Sequence, residues 1–146
     1  TWLGCYNNQL TSLDVTQNTA LTELYCFENQ LTSIDVSQNP ALTKLECYFN
    51  QIDSIDLSAN TALTKLHCND NLITSLNINN TAISNFYYVK FNNNPLITVN
   101  ITNNPLLQQI NNSDLNNMSM GILQISNNSS LAYINIGNTQ LINLDL

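Results

Sequence analysis

The chain has 146 residues, 43% of them apolar, which is enough for one domain with a continuous core. Three lysines, no arginine and ten acidic residues leave a net charge of −7, setting most of the surface against nucleic acid and anionic membranes. No apolar run reaches the roughly 20 residues of a membrane-spanning helix. Only 9% of residues are charged, so solubility falls to Asn, Thr, Ser and Gln, with Asn alone about a fifth of the chain.

From the N-terminus the first recognisable element is a short phrase, Leu3-x-Cys5-x-x-Asn8, that returns as Leu24-x-Cys26-x-x-Asn29, Leu45-x-Cys47-x-x-Asn50 and Leu66-x-Cys68-x-x-Asn71. Aligning later segments on the first apolar position adds starts at Phe86, Ile110 and Ile134, with spacings of 21, 21, 21, 20, 24 and 24. A fixed period of this length predicts a solenoid of about seven coils. Within each phrase the apolar residues alternate with outward ones, the period of a short strand with one buried face, so stacked coils make a parallel sheet. The Asn that ends each strand can bond the backbone of its own turn and of the neighbouring coil, an asparagine ladder.

The next segment, Leu13-Asp14-Val15 and its copies Ile34-Asp35-Val36 and Ile55-Asp56-Leu57, turns two apolar side chains inward. A second Asn (Asn18, Asn39, Asn60) followed by Thr-Ala-Leu or Pro-Ala-Leu then brings the chain back. Twenty-one residues leave no room for a long helix, so extended and 3-10-like turns are expected there. Residues 1–85 carry the regular repeats. Residues 86–146 carry degenerate ones, with Tyr88, Asn112 and Ile136 in place of Cys and insertions near Tyr88 to Asn94 and Leu115 to Gly121. Leu96 to Ile101 and Leu123 to Ile125 restore the phase.

The L-x-x-L-x-[LC]-x-x-N-x-L core with Leu-Thr-Ser-Leu-Asp-Val phrases resembles the leucine-rich repeat, in the 21-residue, cysteine-bearing form of the internalin J-like repeats of bacterial surface proteins. The resemblance covers the whole chain and is sharpest from Leu3 to Leu66. It implies a leucine-rich-repeat solenoid of the α/β superhelix class, here β-rich, with the parallel sheet on a concave face and short turns on the convex one. It also implies an extracellular or bacterial cell-surface location and a role in adhesion. Neither end of the chain shows a cap, so a single domain over residues 1–146 is expected to be a fragment of a longer protein.

Four cysteines suggest disulfides, metal or packing. Neighbouring strands lie about 4.8 Å apart with parallel side chains, whereas a disulfide wants Cβ atoms about 3.8 Å apart and angled together. Zinc would need converging ligands, and no Cys-x₂₋₄-Cys pair occurs. The cysteines therefore read as small buried hydrophobes. The Asp14, Asp35, Asp56 column, continued by Asn77, Asn100, Gln124 and Asp145, stacks carboxylates that either bond turn amides or share a cation such as calcium. His67 has no nucleophile or second carboxylate in triad order and reads as a solvated, partner-facing residue. No phosphate loop, nucleophile elbow or acid/base pair is present, so neither enzymatic activity nor a cofactor is expected.

Outward strand positions form three columns: Trp2, Glu23, Lys44, Lys65, Asn85, Gln109, Tyr133; then Gly4, Tyr25, Glu46, His67, Tyr87, Asn111, Asn135; then Tyr6, Phe27, Tyr48, Asn69. Tyr6, Glu23, Tyr25, Phe27, Lys44, Glu46, Tyr48, Phe49, Lys65 and His67 are the candidate contacts for a partner. Exposed aromatics ringed by charge have the composition of a protein interface, and such rings also stack on sugars. The competing reading is an aromatic ladder that only stabilises the sheet. The expectation is a monomeric, non-enzymatic binding module that takes a protein partner, with a glycan as the alternative ligand. A spacer with no ligand, or a carbohydrate-binding accessory of a larger secreted protein, are the rival functions.

Overall fold

The computed structural model describes residues 1–110, 121–136 and 140–145, with the backbone alone for Phe86. It is a parallel β-solenoid with almost no helix. Strands β1 (Trp2–Gly4), β2 (Glu23–Tyr25), β3 (Lys44–Glu46), β4 (Lys65–His67) and β6 (Val89–Lys90) form one five-stranded parallel sheet. Leu3, Leu24, Leu45, Leu66 and Val89 stand in register along it. In β2, β3 and β4 the central Leu is fully buried between two half-buried neighbours.

Those strands are only three residues long because the cysteine and the ladder asparagine follow at once. The Nδ2 of Asn50 donates to the carbonyls of Cys47 in its own coil (3.0 Å) and Cys26 in the preceding one (3.1 Å), while its Oδ1 accepts from the Leu31 amide (2.9 Å). Asn29 and Asn71 repeat the arrangement. Each amide thus satisfies backbone groups that a buried turn would leave orphaned. A second ladder runs at Asn39 and Asn60, whose Nδ2 groups reach Val15 and Val36 of the preceding coils at 3.1 Å. A third, which the sequence did not announce, links the Thr22, Thr43 and Thr64 hydroxyls to the carbonyls of Thr1, Thr22 and Thr43 at 2.7 to 2.9 Å.

From residue 75 the opposite side of the coil changes character. Strands β5 (Ser75–Asn79), β7 (Thr98–Thr102), β9 (Ile122–Ser126) and β11 (Asn143–Asp145) pair as a second parallel sheet in the order β11-β9-β7-β5. Leu76, Ile78, Val99, Ile101, Leu123 and Ile125 point from it into the core. In the earlier coils the matching segments are extended but unpaired. There the Asp side chain accepts the amide two residues on, at 2.9 Å in Asp14–Thr16, Asp35–Ser37 and Asp56–Ser58. Such local bonding competes with a ladder, and stacked carboxylates about 5 Å apart repel. Where the column becomes neutral the strands close up, and Asn100 Nδ2 donates to Asn77 Oδ1 at 2.6 Å. A two-stranded pair, β8 (Gln109–Ile110) with β10 (Tyr133–Ile134), completes the described strands.

The alignment of the fifth coil differs from expectation. Leu66 pairs with Val89, not Phe86, and His67 pairs with Lys90, not Tyr87. Phe91, fully buried, takes the place beyond Cys68 that was assigned to Tyr88, which is exposed. The inserted residues form a 3-10 turn, Phe86–Tyr88, capped by Asn85, whose Oδ1 accepts the Tyr87 amide at 2.8 Å. Two apolar phases overlap in Phe86-Tyr87-Tyr88-Val89-Lys90-Phe91. The ladder decides between them, because Asn94 donates to Cys68 and Phe91 and makes Val89-x-Phe91-x-x-Asn94 the true phrase. Asn85 does bridge to Gln109 in the following coil, as aligned. Asn111, Asn112 and the insertion from Leu115 lie outside the described residues.

Candidate functional site

The first sheet sets its inward residues with little freedom, and the outward ones follow. Glu23, Lys44 and Lys65 stand in one row, and Tyr25, Glu46, His67 and Lys90 in the next. Lys44 Nζ lies 2.9 Å from Glu23 Oε1, and Lys65 Nζ 2.6 Å from Glu46 Oε1. The Tyr25 hydroxyl donates to Glu23 at 2.5 Å, which pushes the phenol pKa up to about 12 and holds the Glu23 carboxyl below its ordinary value. Lys44 is thus paired within its row and Lys65 across to the next, and solvent screening keeps both bridges weak.

The third row is a continuous stack. Tyr6 and Phe27 ring centroids are 4.6 Å apart, and Phe27 and Tyr48 4.4 Å apart, both with planes within 7° of parallel. Parallel strands impose the centroid spacing, and the rings fill it. Phe49 stands beside the stack, edge-on to Tyr48 at 5.7 Å and 52% exposed. It stands in a row with Glu28 and Asp70 of the neighbouring coils, whose backbone sequence reasoning missed: Asn7, Glu28, Phe49, Asp70 and Asn93 all have φ between 51° and 56°. This left-handed corner suits Asn and Asp, but it costs a bulky residue about 1–2 kcal/mol. The signal in the sequence is the residue before each ladder asparagine, which is Asn or Asp in three coils and Glu28 or Phe49 in the other two.

His67 departs from the expectation of a solvated histidine. Its side chain is only 12% exposed, with Nδ1 3.9 Å from Glu46 Oε2. Burial, then Lys65, lower its pKa to about 4; Glu46 opposes the shift and Lys90 adds to it. The imidazole is neutral at pH 7. Together with Glu46, Tyr48, Phe49, Asn69 and Lys90 it lines a cavity of about 300 Å³ on the open face.

The four cysteines are free thiols. Burial pushes Cys26 and Cys68 up to about 12 and Cys47 well above its ordinary value, so these thiols stay protonated and unreactive. The Asp14, Asp35 and Asp56 carboxyls are held low by hydrogen bonds from Thr16, Ser37 and Ser58. Their turn-bonding role accounts for the column. Among the described residues no group of three or more His, Cys, Asp or Glu is placed to hold a metal ion, and no helix is long and apolar enough to cross a membrane.

The chain is similar to a solved structure described as the functional domain of InlJ from Listeria monocytogenes, which includes a cysteine ladder. The two share 30% identity over 92% of this chain, with a TM-score of 0.62. The match covers 34% of the InlJ chain, so this chain spans about a third of its length. No family model matches the chain, and no curated protein matches it. The cysteine and asparagine ladders, the 21-residue coils and this likeness together make the chain an internalin J-like leucine-rich-repeat solenoid.

Proposed function

We propose that this internalin J-like solenoid is a non-enzymatic protein-binding module of a bacterial secreted or cell-surface protein, and that it meets its partner on the open face of the first sheet. The observation that carries this reading is Phe49. Its ring is half exposed, outside the Tyr6–Phe27–Tyr48 stack, and held in a left-handed conformation that Asn7, Asp70 and Asn93 adopt at lower cost. Strain of this kind is characteristic of binding sites. Tyr25, Phe27 and Tyr48 supply the rigid aromatic surface, and the Glu23–Lys44 and Glu46–Lys65 pairs supply a polar rim. Adhesion to host or neighbouring cells is the role that fits such a surface on a secreted scaffold.

A second reading is favoured by the near-parallel stacking at 4.4–4.6 Å: the rings stabilise the sheet and the module is a spacer. The two separate on a triple variant, Tyr25→Ser, Phe27→Ser and Tyr48→Ser. Beads coated with the chain or with the variant are scored for attachment to cultured animal cells and to bacterial cells, with circular dichroism as the folding control. Loss of attachment by a folded variant is expected. A folded variant that attaches as well as the parent chain overturns the reading, and glycosidase treatment that removes attachment replaces the protein partner with a glycan.

A further inference from the structure

All three lysines and the single histidine of this acidic chain lie on three neighbouring strands, Lys44 on β3, Lys65 and His67 on β4, and Lys90 on β6. Lys44 and Lys65 are occupied by Glu23 and Glu46. Lys90 is exposed and, among the described residues, has no ion pair. It stands at the rim of the cavity whose other walls are His67, Asn69, Glu46, Tyr48 and Phe49. The geometry points to this cavity as a subsite for a carboxylate carried on a short apolar stem, an Asp or Glu side chain of the partner protein set next to an aromatic residue. The assignment rests on the proposed protein-binding face.

The lining mixes two kinds of group. Lys90 supplies a full positive charge, and the neutral imidazole and the Asn69 amide supply N–H donors. Asn69 Nδ2 spends one hydrogen on Asp70, at 2.6 Å, and keeps a second. Phe49 and the Tyr48 ring add apolar contact. Glu46 would repel an incoming anion, but its Oε1 is neutralised by Lys65 at 2.6 Å. Asp70, the other nearby acid, is held by Asn69 and Asn93. With Lys44 and Lys65 already bridged to carboxylates, Lys90 is the lysine still available to an incoming anion among the described residues. The half-exposed Phe49 ring complements an apolar stem, which favours a peptide side chain.

The test uses three dipeptides, acetyl-Phe-Glu-amide, acetyl-Phe-Gln-amide and acetyl-Phe-Lys-amide, titrated into the chain while the His67 imidazole resonances are followed by NMR. The Glu peptide is expected to shift them, to raise the histidine midpoint above about 4, and to bind roughly fivefold more tightly than the Gln peptide, the ratio of one exposed ion pair. Lys90→Gln should erase that preference, and Lys90→Glu should transfer it to the Lys peptide. Equal affinity for the Glu and Gln peptides, or a preference that survives Lys90→Gln, overturns the subsite. Glucuronate shifting His67 while the peptides stay silent overturns its assignment to a protein. If cell attachment is lost in the Tyr25, Phe27 and Tyr48 variant but kept in Lys90→Gln, the binding face stands and the carboxylate subsite falls.

Discussion

The coils before residue 75 and those after it solve the same packing problem with different side chains. In the first region one sheet is paired, the cysteine column fills the layer behind it, and the opposite side stays extended and unpaired, with Asp14, Asp35 and Asp56 turned onto their own amides. In the second, Asn77, Asn100 and Gln124 occupy that column and the strands β5, β7 and β9 pair in full register. The unpaired side coincides with carboxylates in adjacent coils of one column, whereas Asp145, next to the neutral Gln124, still pairs in β11. Carboxylates at strand spacing repel and prefer local amides, whereas the neutral Asn77 and Asn100 bond each other.

The largest effect should come from the join between the regions. Phe91→Ala empties a fully buried ring site in the layer that Cys68 fills one coil earlier, and should cost about 3–5 kcal/mol in denaturant unfolding. A cost below about 1 kcal/mol would show that Phe91 does not close that layer. Next is the ladder. Asn50→Ala orphans the Leu31 amide and takes one of two ladder bonds from each of the Cys26 and Cys47 carbonyls, which keep Asn29 and Asn71, and should cost about 2 kcal/mol.

The column itself is tested by exchanging its charge. Asn100→Asp should destabilise the second sheet by about 1–3 kcal/mol at neutral pH, with recovery when the carboxyl is protonated. Asp35→Asn should change stability by less than about 1 kcal/mol, since its bond to Ser37 can be kept by an amide oxygen. Equal effects of the two exchanges would break the comparison. A smaller gain is expected at the strained corner, where Phe49→Asn should stabilise by about 1 kcal/mol while weakening attachment to the partner.

A pH dependence is also expected, confined to the first region. The His67 pKa falls from 6.5 to about 4 on folding, so the unfolded chain takes up the proton first. Stability is intact above 6.5 and declines as pH drops from there toward 4. The low carboxyls of Asp14, Asp35 and Asp56 also lose stabilisation on acidification, but below their ordinary value of 3.8. His67→Gln should flatten the upper window and leave the lower one, as followed by melting temperature across pH.

Much of the fold was legible because repetition multiplies weak signals. One Leu-x-Cys-x-x-Asn phrase means little; four in phase specify a sheet, an inward column and a ladder, and hence which of Tyr25, Phe27, Glu46 and Tyr48 face outward. Legibility failed at Phe86 to Phe91, where two apolar phases overlap and only the hydrogen bonds of Asn94 select one. That error placed Tyr87 beside His67 and hid Lys90, the residue that completes the cavity. The left-handed corner at Glu28 and Phe49 was also invisible, since those residue types do not advertise a positive φ.

By itself, then, the amino-acid sequence determined the solenoid, the buried role of Cys26, Cys47 and Cys68, and the stacked aromatic row, because each follows from period and alternation alone. The tertiary structure decided where the second sheet begins, which residue meets His67 across the strands, and how far that imidazole is covered. Those outcomes depend on register between coils and on the summed field of Glu46, Lys65 and Lys90, quantities that exist only once the strands are stacked.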